Sequence, residues 1–175
     1  MWFIRCPVSN FPTDAVLDVS LEYEGVTLKD VYDARVTLET PMIIQLAKDQ
    51  NPAVIAELEK IVESEAELQP GSDSVDQLTD FHAAIARLSG NKTLQIVSDM
   101  LHHIVEKANR SLQPTEGARA AKAVSRSAKT HRMILDLNKA GEAEQAGELW
   151  KKHLQKAEAF VLSGSELSTV VDLLE

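Results

Sequence analysis

Apolar residues recur at intervals of three and four along most of the chain, and short polar breaks separate the runs that keep this spacing. The spacing puts them on one face of a helix. The first long run, LKDVYDARVTLETPMIIQLAKDQ, follows Val26-Thr27. Thr27 with Asp30 three residues on offers a capping box, and Val26 with Val31 a hydrophobic staple. Pro41 falls inside this run and is expected to kink the helix rather than end it, because the apolar pattern continues beyond it. Asn51-Pro52 opens a second helix, PAVIAELEKIVESEAEL, with Pro52 at its first position. QPGSDS is a loop, and a third helix is expected over about 75–88, stopped by Gly90. Asn91 caps a fourth, KTLQIVSDMLHHIVEKANR. After LQPTEG a fifth covers ARAAKAVSRSAKTHRMILDLNKA and stops near Gly141. A sixth covers EAEQAGELWKKHLQKAEAFVL, and SELSTVVDLLE offers a last short one. Long helices with short connections predict an all-α fold, an antiparallel helical bundle of about six to seven helices.

The beginning departs from this pattern. MWFIRCP is a β-like run closed by Pro7, a strand without a partner nearby. PTDAVLDVSLEYEG fits a short helix or an extended arm equally well. The expected organisation is therefore an N-terminal arm over 1–25 and a helical domain over 26–175.

Composition narrows the function classes. Hydrophobic residues make up 44% of the 175 and aromatics 5%, which suits helices packed through Leu, Ile, Val and Ala. A net charge of -9 repels phosphate backbones, so the chain is not expected to bind nucleic acid unaided. The single Cys6 excludes an internal disulfide and is compatible with a reducing cytoplasm, the expected location. No apolar run approaches a membrane span.

The histidines carry the candidate chemistry. His82 lies on one helix face with Leu78, Ile85 and Ala86; His131 with Val124, Ala128, Ile134 and Leu135; His153 with Leu149, Trp150, Ala157 and Phe160. Three helices thus each aim one imidazole inward. One such residue is most simply a core histidine with its own hydrogen-bond partner. Three of them can share a metal, and imidazole suits Zn, Ni, Co and Cu. The pattern does not show that they meet, so both readings stay open. Of His102 and His103, at most one can face fully inward. Arg35 shares a face with Val31, Leu38 and Met42: it either pairs with Glu39 one turn on, its stem snorkelling, or points into the bundle toward a carboxylate ligand. No inward acid is evident near the three histidines, and ELEKIVESEAEL is most simply a solvated face. No nucleophile site or phosphate loop is present.

VYDARVTLE, DFHAAIARLSGNKTL, HRMILDLNKAG and WKKHL together resemble the effector-binding domain of GntR-type transcription regulators of the FadR subgroup, the FCD domain. The resemblance runs from about Val26 to Leu162. It implies an all-α bundle that forms a homodimer and binds a small carboxylate effector, often over a divalent transition metal, Zn or Ni here. By position, His82, His131 and His153 match the metal ligands and Arg35 the arginine lining the effector cavity. Metal-binding members place an Asp four residues before the first histidine, where this chain has Leu78, so a weaker site is implied. A winged helix-turn-helix precedes the domain in such regulators, and FIRCP resembles the last strand of its wing; DNA contact would belong to that part, missing here. The expected function is a ligand-sensing and dimerisation domain and not an enzyme. The alternatives are a metal-dependent enzyme with an open three-His site and a ligand-free helical dimerisation domain. Any metal is expected to leave as pH falls below about 6.5, the ordinary imidazole value.

Overall fold

The computed structural model describes residues 24–68, 72–112 and 117–163. The expected N-terminal strand, the arm before residue 24 and the last short helix lie outside them. The described residues form six helices: α1 (Leu28–Asp49), α2 (Pro52–Glu65), α3 (Ser72–Leu88), α4 (Lys92–Leu112), α5 (Gly117–Ala140) and α6 (Ala143–Leu162). The all-helical architecture is as the periodicity predicts.

Local chemistry sets the boundaries. At the start of α1 the Asp30 amide donates to Thr27 Oγ1, and the Thr27 amide donates back to Asp30 Oδ2 at 2.9 Å, completing the capping box. Such caps contribute about 1 kcal/mol each. Asn51 accepts from the Ala53 amide and places Pro52 in the first turn of α2, where a missing N–H costs nothing. Asn91 accepts from the amides of Thr93 and Leu94 to open α4. Gly90, which stops α3, has a φ of 74°, a conformation that only glycine adopts without strain. α1 continues through Pro41, whose ring is exposed. α3 begins at Ser72, earlier than the periodicity suggested, so part of QPGSDS is helical.

α1 is the central helix and packs against α3, α4, α5 and α6, most extensively α6. Two apolar clusters form around it. The larger takes Met42, Ile43, Leu46 and Ala47 from α1, Leu58 and Val62 from α2, Phe81 and Ile85 from α3, Ile134 and Leu135 from α5, and Trp150 and Leu154 from α6. The smaller takes Leu28, Val31 and Tyr32 from α1, Ile104 and Val105 from α4, and Val161 from α6. Along α1 the two clusters are separated by Arg35 and Glu39, both buried. A polar layer thus crosses the bundle between two apolar cores, and the histidines lie in it.

Candidate metal centre

His82 comes from α3, His131 from α5 and His153 from α6, and all three side chains are buried. His153 Nε2 is 3.2 Å from His131 Nε2 and 3.2 Å from His82 Nε2. One ligand nitrogen from each ring lies within 4.8 Å of the other two. The structure therefore brings together the three histidines that the helix faces singled out. Two nitrogens bound to one tetrahedral Zn(II) at 2.0–2.1 Å sit about 3.3 Å apart, so the observed spacing matches an edge of such a site.

Hydrogen bonding alone does not satisfy this arrangement. An imidazole nitrogen has one in-plane position, filled by a proton or a lone pair. His153 Nε2 faces two other nitrogens, so at most one of the two contacts is a well-aligned hydrogen bond. A cation among the three would resolve the conflict. Burial keeps the rings neutral and ligand-ready. It lowers His131 to about 3 and His82 and His153 well below the ordinary value, with the neighbouring charge of Arg35 acting in the same direction on the latter two.

The outer ring nitrogens of His131 and His82 also have partners. Both carboxylate oxygens of Glu65, at the end of α2, lie 2.8 and 2.9 Å from His131 Nδ1. A carboxylate accepting from Nδ1–H leaves Nε2 bare, the tautomer that ligates. Burial and the nearby charge of Asp80 push Glu65 up to about 8, with Arg132 opposing. On α1, Arg35 Nε donates to Glu39 Oε1 at 2.7 Å, and Arg35 Nη2 lies 2.6 Å from His82 Nδ1. His102 Nε2 is 3.0 Å from Glu39 Oε1, and Glu39 Oε2 is 3.6 Å from His82 Nδ1. Burial alone would raise Glu39, but the Arg35 charge, followed by the His102 hydrogen bond, holds it well below the carboxylate range. Glu39, His82 and His102 form a second group close enough to hold a cation, and the Arg35 guanidinium already sits within it.

Aromatic rings wall the centre. Phe81 stacks on His131 with centroids 4.3 Å apart, and Trp150 lies 4.6 Å from His82. Trp150 Nε1 is buried and has no acceptor among the described residues, an orphan donor beside the three histidines. Leu78 is half-buried one turn before His82.

The expectation that no acid faces inward near the histidines is overturned by Glu39 and Glu65. Glu65 is missed because in an acid-rich helix a carboxylate looks solvated, as Glu57 and Glu59 are, paired at the surface with Arg87 and Lys139, and Glu39 because it reads as no more than a partner for Arg35. A signal was present, since Leu58, Val62 and Glu65 share one helix stripe, as do Arg35, Glu39 and Met42. The two readings of Arg35 also merge: it pairs with Glu39, but inside the bundle. Of His102 and His103, His102 is the buried one and belongs to this network.

A family model described as the FCD domain matches residues 30–156. No curated protein and no solved structure matches the chain.

Proposed function

Because the chain belongs to the FCD family, the effector-binding domain of GntR-family regulators, we propose that it senses a small organic acid over a divalent metal held by His82, His131 and His153. The observation that carries this reading is the convergence of three Nε2 atoms with more lone pairs than hydrogens to fill them. Zn(II) or Ni(II) suits three neutral imidazoles. When bound, the metal supplies a Lewis-acidic position for an effector carboxylate. The protein's own groups do the rest. Glu65 orients His131 through Nδ1. Arg35, a buried guanidinium, offers bidentate donors to a carboxylate arriving beside it. Phe81 and Trp150 exclude water from the other side, and the Trp150 N–H is a spare donor for a polar ligand atom. The chain acts as a homodimer, with DNA contact left to a separate basic domain.

Glu39 and Glu65 are already engaged at ring nitrogens and salt-bridge partners, so neither stands as a free general base. This favours sensing over catalysis.

A thermal-shift screen of small mono- and dicarboxylates, run on metal-free chain and on chain loaded with one Zn(II) or Ni(II), tests the reading. Stabilisation by a carboxylate only in the loaded chain is the expected result. Stabilisation that ignores the metal, or none from any carboxylate, would count against it, and turnover of a ligand would favour a metal-dependent enzyme.

A further inference from the structure

The contact between Arg35 and His82 has a chemical consequence. Guanidinium nitrogens only donate. With Arg35 Nη2 2.6 Å away, His82 Nδ1 must therefore be the acceptor and carry no hydrogen. The ring proton then sits on Nε2, where it points at His153 Nε2 3.2 Å away. That proton occupies the lone-pair direction a metal would need. His131 is set the opposite way when Glu65 is ionised, because its Nδ1 then faces a carboxylate that can only accept. Two of the three rings can thus present bare Nε2 atoms, while the third is held with Nε2 protonated by its neighbour on α1.

We propose that Arg35 is a tautomer latch: while it contacts His82 Nδ1, His82 cannot ligate a metal through Nε2, so metal occupancy and the Arg35–His82 contact exclude each other. For His82 to ligate, the ring loses the proton at Nε2 and gains one at Nδ1, with no change of charge. The new Nδ1–H would face Arg35 donor to donor, and the two must part. An acceptor is already placed for the switched ring: Glu39 Oε2, 3.6 Å from His82 Nδ1. Glu39 then serves His82 as Glu65 serves His131. Arg35 keeps its short bond from Nε to Glu39 Oε1, while Nη2 gives up both His82 and its long 3.5 Å bond to Glu39 Oε2 and is freed to take a carboxylate. Metal loading and carboxylate binding become coupled through one side chain, each favouring the state the other needs. This rests on the three-histidine metal reading and adds to it a role for Arg35 and Glu39 as positioning residues.

The test uses the ¹⁵N-labelled chain and long-range imidazole ¹H–¹⁵N spectra, without metal and with Zn(II). Without metal, His82 should show a bare Nδ1 and a protonated Nε2; Zn(II) should move the hydrogen to Nδ1. In zinc titrations Arg35→Met should bind about tenfold to a hundredfold tighter than wild type, the range a charged hydrogen bond commands. If the lone Glu39 carboxylate unfolds that variant, the same gain should separate Arg35→Met/Glu39→Gln from Glu39→Gln. A His82 whose Nδ1 is protonated before zinc is added, or equal affinities within both pairs, overturns the latch. Ligation reported by His131 and His153 while the His82 hydrogen stays on Nε2 overturns it too and leaves a metal site standing. Three imidazoles unchanged by Zn(II) would remove the metal reading itself.

Discussion

His131 and Glu65 face each other at 2.8 Å and titrate in opposite senses. Burial lowers His131 to about 3 from an ordinary 6.5, so the folded chain binds fewer protons than the unfolded one between those values. Its contribution to stability is full above about pH 6.5 and is lost as pH falls toward 3, and His82 and His153 add to the same loss. Glu65 is raised to about 8 by burial and Asp80, so its contribution is full below its ordinary value and is lost as pH rises through 8. The metal-free chain should therefore be most stable near pH 6–6.5. Urea melts from pH 4 to 9 check this, and Glu65→Gln should remove the alkaline decline while leaving the acid one; a flat profile above pH 6.5 in wild type would contradict it. Because the rings resist protonation, a bound metal should also persist below pH 6.5, lower than free imidazole chemistry suggests.

At the level of elements, most of the fold was legible because its determinants are local. Thr27, Asn51, Gly90 and Asn91 act within three or four residues of their positions, and the structure uses each as a cap or stop. The convergence of the histidines was half legible: periodicity tells which face a residue takes, while the meeting point depends on helix crossings that no local pattern encodes. Glu39, Glu65 and His102 were hidden because their partners lie 63 or more residues away for His102–Glu39 and His131–Glu65 alike. A close approach of two helices is equally non-local. A Cβ built on Gly147 of α6 would meet Ile44 Cγ1 of α1 at 2.6 Å. Gly147→Ala raises helix propensity, yet overpacking should make it destabilising by about 1–3 kcal/mol. Denaturant melts should show that loss and its partial recovery in Gly147→Ala/Ile44→Ala. A gain in stability from the single change would mean that α1 and α6 are not held this close.

Across the whole molecule, a polar layer of four buried histidines, Arg35 and two buried carboxylates lies against the apolar cores. Burying these groups is costly unless every charge and lone pair is answered. Arg35 answers Glu39 and Glu65 answers His131, while the three Nε2 atoms face one another and Trp150 Nε1 beside them has no acceptor among the described residues. No described helix is long and apolar enough to cross a membrane. The match over residues 30–156 places this layer within an effector-binding family. The half-buried Leu78 is where a fourth ligand could be added, and it leaves the three imidazoles as the protein's own contribution to the centre. Anomalous diffraction at the zinc edge from crystals of the zinc-loaded chain tests the central claim most directly. It should show one strong peak per protomer, about 2.0–2.1 Å from Nε2 of His82, His131 and His153. A peak between Glu39 and His102 instead, or none in chain that has been offered zinc, would contradict it.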